Sequence, residues 1–202
     1  MHILILCEFS NAVNSFPQIR ESVRQLLSQA FDGLYADSSI RVGVMCYGNK
    51  PSGFNGWRPL SKSIVTTLYN GFPMGVPNLH LALAEAARHL QPIPRGERAL
   101  VVVTYAGACD YDTPLTPELR NVLSDCPALV VMSHPGLPLP EPLHVLVNDI
   151  TALGMGEEQN ARFAARFREI ALGETSVSND AADGESRHDT EQAQEPINDE
   201  FS

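Results

Sequence analysis

Glu8, Ser10, Asn11 and Asn14 form a cluster of oxygen-bearing side chains directly behind five consecutive apolar residues, Ile3, Leu4, Ile5, Leu6 and Cys7. One carboxylate, one hydroxyl and two amides at the end of a covered strand make a polar loop pinned between two rigid elements, a good place for a site. They can equally hydrogen-bond loop amides and fix a turn. For Glu8 the second role is the expected one. Sulfur supplies the other candidates. Cys109, in the run GACDYD, or Cys126 could act as a nucleophile only with a histidine in hydrogen-bond reach and an oxyanion donor. His80 and His89 fall in a helical run and His134 in a proline-rich linker, and the chain has no G-x-S-x-G, no glycine-rich phosphate loop and no H-E-x-x-H. The sequence therefore predicts no enzyme. Cys7, Cys46, Cys109 and Cys126 form no C-x-x-C pair and sit in or beside apolar runs, so they read as reduced core residues.

The elements that would position these groups alternate strand and helix. Residues 3–7 run apolar without alternation, as a strand covered on both faces does. Such a strand would release Glu8, Ser10 and Asn11 at its carboxyl end, where open α/β sheets bind their ligands. Ser15 is placed to cap the next helix, with Gln18 as capping-box partner and Pro17 in the first turn. Phe16, Ile19, Val23, Leu26, Leu27, Ala30, Phe31 and Leu34 then recur at spacings of three and four, a long amphipathic helix.

A second buried strand is expected at residues 40–47 and a short edge strand at 57–60. Phe54 and Trp57 beside it would form either an exposed contact patch or packing against that edge. A small helix over 62–69 leads to the Gly- and Pro-containing loop 70–77. Asn78 caps a helix whose face is Leu79, Ala82, Leu83, Ala86, Ala87 and Leu90. Strands follow at 99–104 and 128–132, the first ending in a polar loop over 105–117 with Asp110 and Asp112. The linker 134–142 holds four prolines, too short and too proline-rich for a helical crossover. Either it runs extended to a strand at 143–147 or the later segment is not a parallel neighbour. A helix over 157–172 stops at Gly173.

Charge is distributed unevenly. The formal net charge is −10, and residues 173–202 hold nine acids against Arg187 alone, a net of −8 that leaves −2 on residues 1–172. A near-neutral body argues against a nucleic-acid or anionic-membrane surface, which needs clustered Lys and Arg. No run approaches the length of a membrane-spanning helix, so a cytoplasmic protein is expected. The domain reading is an α/β body over 1–172 and an acidic, disordered tail over 173–202.

Alternating β and α predicts an open, mostly parallel, doubly wound sheet with helices on both faces, a Rossmann-like architecture. The succession HILILCEFSNAVNSF, IRVGVMCYGNK, GFPMGVPNLHLALAEAARHL and ALVVVTYAGACD resembles the von Willebrand factor A (vWA) family over roughly residues 1–172. That family carries D-x-S-x-S after its first strand, a G-x-T-N-L loop and a V-V-x-x-T-D-G strand. Its loops build a metal-ion-dependent adhesion site. Carried over, the first aspartate falls on Glu8 and the first serine on Ser10. The second serine falls on Ala12, the threonine on Pro77 and the last aspartate on Tyr105, while the N-L pair persists as Asn78 and Leu79. Glu8 and Ser10 alone cannot hold magnesium tightly, so no metal and no cofactor is expected. Asp110 or Asp112, farther along the second polar loop, are the other carboxylates within reach.

The resemblance thus implies a non-catalytic protein-interaction or scaffold domain with a degenerate metal site, a subunit or adaptor of an intracellular complex whose partner is another protein. The alternative is a metal-dependent ligand binder or an accessory protein of an AAA-type ATPase. Glu8, Phe9, Ser10, Asn11, Phe72, Met74, Asn78, Tyr105 and Tyr111 are the expected binding residues. They come from three loops at the carboxyl edge, where apolar and aromatic side chains stand in place of metal ligands.

Overall fold

A computed structural model of the chain describes residues 1–71, 74–105, 115–132, 140, 143, 151–153 and 156–174. Six strands form one sheet: β1 (His2–Glu8), β2 (Arg41–Tyr47), β3 (Arg58–Pro59), β4 (Arg98–Thr104), β5 (Ala128–Met132) and β6 (Thr151–Leu153), in the order β3-β2-β1-β4-β5-β6. All neighbours are parallel except β3, which pairs antiparallel with β2 at the edge. β1 is central, as its unalternating apolar run requires. Ile3, Ile5 and Cys7 face one layer and Leu4 and Leu6 the other.

The helices divide between the two faces for the same reason. α2 (Pro17–Phe31), α3 (Lys62–Thr67) and α6 (Glu157–Leu172) send Leu26, Leu27, Ile64, Val65, Phe163 and Phe167 into the layer of Ile3 and Ile5, with the Phe31 and Phe167 rings 5.1 Å apart. α4 (Leu79–Leu90) and α5 (Pro117–Ser124) cover the other face. α4 carries the expected alanine-rich stripe, which lets a helix approach a sheet closely, and Asn78 caps it by accepting from the Leu81 N–H at 3.0 Å. Gly173 closes α6 with φ 73°, a left-handed C-terminus that glycine adopts freely.

Three local expectations are corrected. Ser15 does not cap α2. The turn behind β1 winds into a short helix, α1 (Asn11–Asn14), which Ser15 closes by donating its Oγ to the Asn11 carbonyl, and Phe16 takes the N-cap position of α2. α5 begins at the last residue of the polar loop 105–117 and continues where no element is expected, because Thr116 caps it ahead of Pro117 and Glu118. The strand expected at 143–147 falls largely outside the described residues, and Leu143 itself sits in a 3₁₀ turn; the parallel neighbour of β5 is β6, several residues later. The tail beyond Glu174 also lies outside the described residues.

Phe54 and Trp57 pack against the sheet edge. Both are half-buried, with the rings in T-shaped contact at 5.1 Å, and Phe54 covers Gly43 of β2 so closely that a side chain at that position would collide with its ring.

Candidate functional site

β1 and β4 both leave the sheet at its carboxyl edge, and the Glu8 side chain lies between them. It is 1% exposed. Its Oε1 accepts from the Ser10 hydroxyl at 2.6 Å, and its Oε2 accepts from the Thr104 hydroxyl at 2.9 Å and the Tyr105 N–H at 2.7 Å. A buried carboxylate must be hydrogen-bonded to be tolerated. Here donors from three points of the chain satisfy it, and one of them is the loop amide expected for Glu8.

Backbone hydrogen bonds bind loop 70–78 to the same edge. Met74 N–H donates to Phe9 O at 2.9 Å, Asn11 N–H to Gly75 O at 2.9 Å, Asn49 N–H to Met74 O at 2.5 Å and Asn78 N–H to Gly48 O at 2.7 Å. Two of the expected loops are therefore in direct contact. Of the third, residues 106–114 lie outside the described residues.

The expected rim residues do not all face outward. Phe9 is buried edge-on against Tyr69, with ring centroids 5.4 Å apart, so it belongs to the core. Ser10 is buried beneath the rim with Glu8, and Pro77 is also buried. Asn11 is exposed, Met74 and Tyr105 are half-buried, and the Asn78 side chain is committed to its cap. Phe72, Tyr111, Asp110, Asp112, Cys109 and His134 lie outside the described residues.

Among the described residues, the outward apolar surface at this edge comes from two that are not among the expected binding residues. Phe16 is 39% exposed and stacks on Tyr105 with ring centroids 5.5 Å apart, and Val76 is 65% exposed. Its spacing puts Phe16 on the apolar stripe of α2, but its place at the N-cap turns it out of the helix.

Below the rim is a buried row of weak acids. Cys7 and Cys46 are direct neighbours across β1 and β2, and the Tyr69 hydroxyl is hydrogen-bonded to Cys7. Burial pushes both thiols and the phenol above their ordinary values; Cys46 raises Cys7 further and the two thiols raise Tyr69 further, whereas hydrogen bonding to Tyr69 draws both thiols part of the way back. Cys126 is pushed up to about 12, again by burial. Thiols held in the protonated form are poor nucleophiles. Tyr69 also has φ 62°, a left-handed conformation costing a bulky residue about 1–2 kcal/mol, which its buried contacts offset.

The fold family implies a divalent cation at this edge, and the residues here do not fit one. Ser10 directs its hydroxyl to Glu8, both Glu8 oxygens already accept protein donors, and Ala12 and Pro77 have no side-chain oxygen. Among the described residues no group of three or more His, Cys, Asp or Glu could hold a metal. Nor is any described helix long and apolar enough to cross a membrane.

No protein-family profile and no curated protein matches the sequence. Solved structures match the fold. A D319A mutant of the PilB minor pilin from Streptococcus sanguinis superposes with TM-score 0.61 at 11% identity, over 84% of this chain and 61% of that one. Proximal thread matrix protein 1 from the mussel byssus, in a structure with a zinc-occupied MIDAS motif, gives 0.60 at 16% identity, over 85% and 45%. A von Willebrand factor type A structure from Catenulispora acidiphila gives 0.55 at 16% identity, over 85% and 42%. The chain spans about two to three fifths of the length of these proteins. Its fold is vWA-like.

Proposed function

We propose that this chain is a non-catalytic protein-interaction domain of vWA-like fold whose metal site has been lost, working as a subunit or adaptor of a cytoplasmic complex. The observation that carries this reading is the Glu8 carboxylate, buried and fully engaged by Ser10, Thr104 and Tyr105 at the place where a metal-bearing relative would present its ligands. The comparisons support the interaction class, since the neighbours include a pilin and a byssal matrix protein. The hard-to-ionise thiols of Cys7, Cys46 and Cys126 argue against nucleophilic catalysis by these three cysteines.

The partner docks on the carboxyl-edge rim, where Phe16, Tyr105 and Val76 provide rigid apolar contact area beside Met74 and Asn11. Interfaces draw most of their energy from a few such anchors. The test is affinity capture from the native cell with the tagged full chain as bait, in EDTA and in millimolar Mg²⁺. The partner is expected in both buffers, and is expected to be lost from Phe16→Ala and Val76→Asp while those variants keep their stability within about 1 kcal/mol. Capture that needs Mg²⁺ favours the metal-dependent binder or ATPase-accessory reading. Capture unaffected by either substitution moves the interface off this rim.

A further inference from the structure

Four positions at the carboxyl edge depart from the metal-binding pattern of the fold, and three of them simply lack the side-chain donor: Ala12 and Pro77 have no oxygen, and Tyr105 replaces a carboxylate with a phenol. The fourth is different in kind. Glu8 keeps the carboxylate and lengthens its stem by one methylene. The extra length has a structural counterpart, because Oε2 reaches the exit of β4, 96 and 97 residues away in sequence, and accepts from the Thr104 hydroxyl and the Tyr105 N–H. An aspartate would fall short by about 1.5 Å, one C–C bond. That would stretch the 2.7 Å bond to the Tyr105 amide beyond hydrogen-bond range.

We infer that Glu8 is a positioning residue that does with its own side chain the tying that a cation does in a metal-bearing site, joining the exits of β1 and β4 and so presenting Phe16 and Tyr105 as one preformed surface element. The inference rests on the metal-free reading above and specifies how the rim is held. The connection runs atom by atom. Ser10 secures Oε1 at the start of α1. Oε2 secures the Tyr105 backbone. The Tyr105 ring lies nearly parallel to Phe16, with an interplanar angle of 23°. Phe16 in turn is fixed at the junction of α1 and α2, where its N–H donates to Val13 O at 3.2 Å and its carbonyl accepts from Ile19 N–H at 2.9 Å. The aromatic pair thus bridges two segments that Glu8 ties from below, one residue beyond the last pair of the β1–β4 ladder. Loop 70–78 is fastened separately, by backbone bonds that need neither Glu8 nor a cation.

The test is NMR on the full chain without any partner, so its outcome is independent of the capture experiment. In the wild type the Tyr105 amide should exchange slowly although it lies past the strand end, and Phe16 and Tyr105 should show mutual ring-current shifts. Glu8→Asp should speed Tyr105 amide exchange about tenfold and abolish those ring-current shifts. Glu8→Gln keeps the length and an acceptor for the amide, and should retain both. Mn²⁺ at millimolar concentration should broaden the Ser10, Thr104 and Tyr105 amides no more than exposed amides elsewhere. Wild-type exchange and ring shifts in Glu8→Asp would overturn the positioning role. Selective Mn²⁺ broadening at the three amides would show that a cation does the tying. Should Glu8→Asp not fold, the wild type decides: fast exchange of its Tyr105 amide also overturns the inference.

Discussion

Gly48, the first residue after β2, lies directly beneath the Met74 carbonyl, so that a β-carbon at position 48 would overlap that oxygen. The close approach lets residues 74–78 reach the sheet edge and exchange hydrogen bonds with Gly48 and Asn49. Gly48→Ala must push backbone against backbone, which no rotamer change relieves. We expect it to cost about 1–3 kcal/mol, the range for overpacked sites, read from chemical denaturation. Gly53→Ala is the control. Nothing lies within 4 Å of a β-carbon there, and its midpoint should stay level or rise slightly.

Arg98, which opens β4, is the next test. It is 5% exposed, and its Nη1 donates to the Leu90 and Ile93 carbonyls, both at 3.3 Å, at the C-terminal end of α4. The Asp125 carboxylate lies 4.0 Å away, and the exposed Arg95 holds it more closely at 2.6 Å. The guanidinium therefore acts chiefly as a buried helix C-cap, where a cation is favoured. Arg98→Met keeps much of the apolar stem but takes the charged donor from the Ile93 carbonyl and leaves the Leu90 carbonyl with the Ile93 N–H alone, and should cost about 1–3 kcal/mol. Arg95→Ala breaks only an exposed pair and should cost under about 1 kcal/mol. Equal losses in the two variants would contradict this division.

The strands were readable because burial on both faces imprints itself as apolar runs, and β1, β2, β4 and β5 appear where those runs lie. β6 leaves no such imprint in three residues, and α5 is an eight-residue helix signalled only by Thr116, Pro117 and Glu118. Ser15 misled because a serine can close one helix as readily as open another, and α1 is too short to show a period. At the site, Glu8 and Ser10 were visible as neighbours. The bonds from Glu8 to Thr104 and Tyr105 join residues 96 and 97 apart, a relation no local spacing encodes. Thr104 did leave a trace, as the one hydroxyl ending the apolar run of β4.

The buried weak acids predict how stability responds to alkali. Cys7, Cys46 and Tyr69 titrate higher in the folded protein than in the unfolded chain, with burial as the main cause. Above their ordinary values, about 9 for the thiols, the unfolded chain gives up protons that the native state keeps. Stability contributed by these groups is thus fully present at neutral pH and is lost as pH rises past about 9, by at most about 1.4 kcal/mol per pH unit per group. Urea midpoints from pH 7 to 11 should be level and then decline. Cys7→Ala should make the decline shallower. An unchanged slope in that variant would remove Cys7 from the account.

The last prediction concerns the outer edge of β2. β3 covers only Arg41 and Val42, so the remaining edge of β2 would be open to pairing with another chain. The segment behind β2 closes it. Val44 N–H donates to the Asn55 side-chain oxygen at 2.8 Å and Cys46 N–H to the Ser52 hydroxyl at 3.0 Å, while the Cys46 carbonyl accepts from Ser52 N–H at 2.7 Å. Two polar side chains thus occupy donors that a foreign strand would seek. Their loss leaves the core untouched, so Ser52→Ala with Asn55→Ala should lower the unfolding free energy by only about 1–3 kcal/mol, the sum of two net hydrogen bonds. The larger effect should be association. Light scattering at rising protein concentration should show the double variant self-associating under conditions where the wild type does not, and substituting Lys for Val44 in the same background should suppress it, since an edge lysine opposes strand pairing. A double variant that stays monomeric would mean that the backbone of the segment, with Pro51 paired to Tyr47, blocks this edge without the two side chains.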